Sequence, residues 1–147
     1  MNNDNIVDLF DVETLEEWTH SIPSYQRKLI EDLLEHTTPE NAAAIWLDSS
    51  VENNSPFSSE GTNKRYYDYV LRELHKLLCG DPAYSEERKE MESILKKDGA
   101  KEAIISFISA AIGAKLGLAS AFIAPAIVLL IIAIGKVTIN AWCEMHR

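Results

Sequence analysis

Catalysis has little to stand on in this chain. Its 147 residues include two cysteines, four histidines and six glycines, and none falls into a pattern that chemistry requires. No CxxC or HExxH is present, which removes the commonest zinc arrangements. No GxSxG, P-loop or GxGxxG occurs, so neither a strained serine nucleophile nor a phosphate cradle is indicated. His20, His36, His75 and His146 are scattered and read as surface histidines. Glu73-x-His75 matches no helical metal-ligand spacing. The many Asp and Glu residues fall on polar helix faces, where solvation explains them. The expectation is a protein that is not an enzyme, with no catalytic residue, metal ligand, cofactor or small-molecule substrate.

Positive charge is also scarce. Residues 1–98 hold 21 Asp and Glu against 10 Lys and Arg. The basic pairs Arg27-Lys28, Lys64-Arg65, Arg88-Lys89 and Lys96-Lys97 are each surrounded by carboxylates. Binding nucleic acid requires clustered cations to neutralise phosphates, so nucleic acid is not an expected partner. The opening MNNDNIVDLFDVE has neither a basic region nor an apolar one of the secretory kind. Reduced thiols are therefore expected, with the protein in the cytoplasm or at the cytoplasmic face of a membrane. Cys79, on a leucine-rich face, reads as a small core residue. Cys143 reads as an ordinary thiol, in a position where lipidation is conceivable. Asn53-Asn54-Ser55 is a glycosylation sequon by chance alone.

What is present is helix. No strand-like alternation of useful length occurs. Thr14-x-x-Glu17 resembles a capping box for a short helix through Trp18. Pro23 suits the first turn of a second helix, with Tyr25, Leu29, Ile30, Leu33 and Leu34 forming one apolar face. Thr38-Pro39 is a cap followed by proline at the first helical position, which starts a third helix through Ala42, Ile45, Trp46 and Leu47. Residues 48–63 read as a loop of sixteen residues, preferably a mobile one. From Lys64 to Cys79 a strongly amphipathic helix returns, stopped by Gly80 and Asp81-Pro82. Of Tyr66, Tyr67 and Tyr69, which point in different directions on that helix, at least one should be exposed. Ser85 then caps a very polar helix whose only large apolar residues are Met91, Ile94 and Leu95.

The last third differs in kind. Residues 99–147 carry Glu102 and Glu144 against Lys101, Lys115, Lys136 and Arg147. Within them Leu116–Gly135 is a run of twenty residues without a charge, about the ~20 that a helix needs to cross a bilayer. Its eleven Leu, Ile, Val and Phe residues favour insertion by roughly 3–7 kcal/mol. A shorter apolar piece, Ala103–Ala114, precedes it. At twelve residues it makes ~18 Å of helix, too little to span a bilayer alone. The intervening KLGLAS is a candidate turn. Ser109, Gly113, Gly117 and Ala121 recur at i+4 and would form a small-residue ridge for close helix packing if the helix were continuous. Pro125, Ile127, Leu130, Ile131 and Ile134 are the candidate membrane or helix-packing residues of the longer run. Lys115, Lys136 and Trp142 stand where interfacial anchors would stand.

The expected fold is all-α: four or five amphipathic helices (1–98) followed by an apolar hairpin or one long apolar helix (99–147), together one cooperative unit. Three readings follow for the apolar run. It is a tail anchor, a hydrophobic hairpin sheathed by the amphipathic helices and released into membrane on activation, or the central helix of a soluble bundle or interaction subunit. The second is similar in architecture to pore-forming colicin domains, and no motif accompanies that likeness. The amphipathic stripes upstream need something to pack on, which favours the second and third readings over a bare anchor. The expected partners are a membrane or another protein, with self-association possible through the small-residue ridge.

Overall fold

A computed structural model describes residues 12–49, 65–97, 101–135 and 139–145. Among these residues all regular structure is helical. A 3-10 segment, Val12–Ser21, is followed by α1 (Ser24–His36), α2 (Pro39–Ala44) and a π-type turn (Ile45–Ser49). Then come α3 (Arg65–Cys79), a 3-10 turn (Pro82–Tyr84), α4 (Ser85–Lys97), α5 (Lys101–Leu116), α6 (Ser120–Gly135) and α7 (Ile139–Met145). Most of the expected loop, residues 50–63, and also Lys136 and His146, lie outside the described residues.

The element boundaries follow from local chemistry. Thr38 caps α2, its hydroxyl accepting the Asn41 N–H at 3.2 Å, with Pro39 in the first turn. Gly80 ends α3 in the left-handed region at φ +96°, where glycine alone escapes the Cβ clash. Asp81 caps the next turn by accepting the Ala83 N–H at 2.8 Å. The buried Asp48 carboxylate reaches across to the first turn of α3 and accepts the Tyr66 and Tyr67 N–H groups at 2.9 and 3.4 Å. A carboxylate at a helix N-terminus satisfies orphan donors and complements the helix dipole. Two expectations shift in detail. The first helical segment is 3-10 rather than α, and Pro23 stands at the N-cap of α1 rather than inside its first turn.

The apolar region is not one straight helix. After Leu116 the chain turns through Gly117, Leu118 and Ala119, and α5 and α6 lie at 118° to each other. No single helix among the described residues is long and apolar enough to cross a membrane. The bent pair passes that test only when taken together, by length and composition. Helix α6, sixteen residues or about 24 Å, is the centre of the molecule. It packs on the N-terminal 3-10 segment, α1, α2, the π-type turn, α3, α5 and α7. Every residue from Pro125 to Gly135 is buried. Helix α4 is peripheral and lies on α3 and α5, with Met91 as its buried anchor.

Candidate functional site: the enclosed apolar helix and its clasps

Among the described residues, a charge-free helix buried on every side from Pro125 to Gly135 calls first for a functional account. Pro125, Ile127, Leu130, Ile131 and Ile134 are all buried inside the bundle. They face protein on every side of α6, so no lipid-facing stripe is distinguished from a packing stripe.

Pro125 introduces a polar problem into this apolar setting. Lacking an N–H, it cannot bond the carbonyl four residues back, that of Ala121. An orphan carbonyl at a helix start costs free energy unless another donor reaches it. Gln26 of α1 supplies that donor, its Nε2 reaching the Ala121 carbonyl at 3.1 Å. Beside it, Trp46 Nε1 donates to the Phe122 carbonyl at 2.8 Å. Two side chains of the shell therefore serve the turn of α6 that the proline opens. This corrects the expected face of α1. Gln26 is 7 % exposed, whereas Tyr25 and Leu29 are 66 % and 52 % exposed. Ile30 is fully buried, with Leu33 and Leu34 packed against the core.

The turn between α5 and α6 is built on glycine. Gly113 accepts from both Gly117 N–H (2.7 Å) and Leu118 N–H (3.0 Å) through its carbonyl. A Cβ on Gly113 would stand 2.5 Å from the Leu118 carbonyl oxygen. Gly117 has φ +73° and open space around it, the left-handed conformation of a helix stop. The four-residue ridge of small side chains is thus not on one helix. Ser109 and Gly113 are buried in α5, Gly117 is the turn, and Ala121 is exposed at the start of α6. The glycines serve a tight reversal rather than a continuous packing groove.

A second clasp holds the far end. Helix α7 returns to α3, and Cys79 and Cys143 are joined by a disulfide with their Cα atoms 5.9 Å apart across 64 residues of chain. This overturns the expectation of two separate, reduced thiols; spacing alone could not show that the last turn of α3 meets α7. Trp142, one of the expected anchors, is buried. It is 3 % exposed and lies against the His75 ring, centroids 5.4 Å apart. His75 Nε2 donates to the Cys143 carbonyl at 3.1 Å. Of the other proposed anchors, the exposed Lys115 has its ammonium 4.9 Å from the centre of the Tyr84 ring.

Tyr84, fully buried, donates its hydroxyl to Glu73 at 2.7 Å. Burial first, then the bond to the Glu73 carboxylate, pushes its pKa up. Tyr67 is also raised, by burial and then by the Glu40 and Asp68 carboxylates. Tyr66 and Tyr67 pack against the core, and Tyr69 is the exposed one, with Arg72 over its ring at 5.6 Å. These are structural phenols on a helical shell. His20 and His36 are exposed, as expected.

One grouping matches no sequence motif. His75 and Cys79 are four residues apart, hence on one face of α3, and α7 brings Cys143 to them. The helical spacing H-x3-C was the available signal; the third member comes from too far along the chain to be seen. No protein-family model, no curated protein and no solved structure matches this chain.

Proposed function

We propose that this chain is a non-catalytic, membrane-active helical protein, held in a closed form in which amphipathic helices mask the apolar pair α5–α6. When the shell opens, α6 exchanges its protein surroundings for lipid and perturbs the bilayer. The observation that carries this reading is the burial of α6 on every side, combined with the nature of its polar attachments. A helix that is apolar all round belongs either in a core or in a membrane. Helix α6 has no charged residue of its own, and the first-turn carbonyls of Ala121 and Phe122 are met by the removable side-chain donors Gln26 and Trp46. The acidic shell provides a physical control, since carboxylates repel anionic headgroups at neutral pH and begin to lose that charge as the pH falls toward about 4.5.

A second reading is favoured by the length of α6. About 24 Å of helix falls short of a hydrocarbon core of about 30 Å. On this reading α6 is the permanent centre of an interaction subunit, and the shell's outer faces meet the partner.

Vesicles separate the two. The full chain and the double variant Gln26→Ala/Trp46→Phe are added to dye-loaded vesicles of mixed zwitterionic and anionic lipid, at neutral pH and near pH 4.5. The membrane reading expects little release from the parent at neutral pH and clear release from the variant, increasing in acid. If both proteins remain folded and unbound to vesicles at both pH values, the subunit reading replaces it.

A further inference from the structure

The disulfide accounts for two of the three donors that meet where α7 returns to α3. His75 is the third, held beside them by its bond to the Cys143 carbonyl. One ring nitrogen of His75 and the sulfurs of Cys79 and Cys143 all lie within 4.8 Å of one another. We infer that in the dithiol form of this protein His75, Cys79 and Cys143 constitute a site for a soft divalent cation of the Zn2+ class, which clamps α7 onto the end of α3. This inference is independent of the membrane reading.

Four features of the site support it. His75 and Cys79 stand one turn apart, a spacing that presents two donors to one ion from a single helix face. The 5.9 Å between the Cys79 and Cys143 Cα atoms suits a shared ion as well as a disulfide, because two thiolates at Zn–S distances of ≈ 2.3 Å in a tetrahedral site sit only about 3.7 Å apart. His75 Nε2–H is donated to the Cys143 carbonyl. That bond leaves the lone pair on Nδ1, and such a bond is the usual means of fixing the tautomer of a ligating imidazole. Charge balance is the fourth feature. Two thiolates and a neutral imidazole around a divalent ion sum to zero, which suits a site whose three ligands are all half-buried.

The surroundings leave room for the remaining position. A cavity of about 320 Å³ is lined by His75, Lys76, Cys79, Gly80, Asp81 and Cys143, so a fourth coordination position would open onto space large enough for water. Lys76 faces the same cavity, but its ammonium is 3.5 Å from the Glu73 carboxylate, which offsets its charge. Binding requires both thiols as thiolates, so loading releases up to two protons and weakens as the pH falls.

The test uses the full chain. A phosphine and water cleave the S–S bond, leaving two thiols and the phosphine oxide. The phosphine is then removed, and the metal-free protein is titrated with Co2+ as a spectroscopic probe. One equivalent is expected to bind, with a thiolate-to-cobalt charge-transfer band in the near ultraviolet and tetrahedral d–d bands in the visible, both abolished by Zn2+. His75→Ala should weaken binding by about ten- to a hundred-fold, at least the loss seen when a supporting contact to a ligand is removed. Cys143→Ser should remove much of the charge-transfer intensity. A reduced chain that keeps its helical circular dichroism but gives no charge-transfer band overturns the inference. So does a His75→Ala variant that binds Co2+ as tightly as the parent. Should Cys143→Ser fail to fold, alkylation of the unaltered reduced chain decides: Zn2+ must slow modification of both Cys79 and Cys143, and equal rates with and without Zn2+ overturn the site.

Discussion

Helices α5 and α6 have the same length, sixteen residues each, and both are rich in isoleucine and alanine, yet they occupy opposite kinds of position. Helix α5 buries one stripe, made of Ile104, Ile105, Ile108, Ser109, Ile112 and Gly113. Its other side, with Ser106, Ala110 and Ala114, is exposed, and charged residues stand at both ends. Helix α6 is buried on every side from Pro125 onward. Apolar content alone does not distinguish them. The distinction lies in whether the residues off the main stripe are mostly small or charged, as in α5 apart from Phe107 and Leu116, or as large as those on it, as in α6. A helix with large apolar side chains all round belongs in a core or in a membrane, and here the other helices pack about it.

The largest expected effect breaks this contrast directly. Ile131→Asp places a carboxylate at a fully buried site, and an unpaired buried charge should cost more than about 4 kcal/mol, enough to unfold a domain of ordinary stability. Ala110→Asp, on the exposed side of α5, should cost only about 1 kcal/mol, mostly through helix propensity. Urea denaturation followed by circular dichroism measures both. If the two substitutions cost the same, the central position of α6 is wrong.

The joint between the two helices should respond next. Gly113→Ala forces a Cβ to 2.5 Å from the Leu118 carbonyl oxygen, and overpacking of this kind costs about 1–3 kcal/mol. Gly117→Ala meets no atom within 4 Å and suffers only from its φ of +73°, so about 1 kcal/mol is expected. Thermal melts of the two variants should rank them in that order. The reverse order would mean that the close approach at Gly113 does not form the turn.

Gln26→Ala leaves the Ala121 carbonyl without the donor that Pro125 cannot supply. The expected loss is about 1–2 kcal/mol. Combining it with Pro125→Ala should recover part of that loss, because the helix then has its own N–H for the carbonyl. A double-mutant cycle in urea reads the coupling directly, and strict additivity would contradict the link.

The smallest effect concerns the shell where it meets α5. Tyr84 lies under Lys115 and bonds Glu73, and its pKa is raised in the folded state. A raised pKa means that folding favours the protonated phenol. The contribution is complete below the unfolded value of 10.0 and is lost as the pH rises past it toward the folded value. Stability should therefore decline above about pH 10, and Tyr84→Phe should make that decline shallower while losing the bond to Glu73 at neutral pH. A pH series of denaturation midpoints checks the slope; an identical alkaline slope in parent and variant would contradict the assignment.

Helix boundaries were largely legible because they rest on local chemistry. Thr38-Pro39, Gly80 and the turn near Gly117 each act through their own backbone. The all-α class and the stripes of α3 were legible for a related reason: Val70, Leu74, Leu77 and Leu78 repeat with the helix, and all are buried. Helix α1 misled because periodicity gives an apolar face without fixing its rotation about the helix axis. Gln26 faces inward and meets a carbonyl 95 positions away, on the side of α1 that also buries Ile30, while Tyr25 and Leu29 face outward. The cysteine pair was hidden for the same reason. Cys79 and Cys143 meet only because α6 carries the chain back across the bundle before α7, a path no local signal encodes. In the candidate site, the burial of α6 was anticipated in two readings of three, whereas the Gln26 and Trp46 clasp was not visible at all.

Whether α6 stays sheltered while its surroundings change is decisive. Hydrogen exchange read by mass spectrometry over residues 120–135, on the full chain with and without vesicles containing anionic lipid near pH 4.5, tests this directly. In solution α6 should be the slowest-exchanging segment of the described chain, with protection close to that of global unfolding. With vesicles, α6 should remain protected while α1 and α2, which cover it in the closed form, become fast. If α1, α2 and α6 keep their solution pattern in the presence of lipid, the helix never leaves its shell and the membrane reading is contradicted.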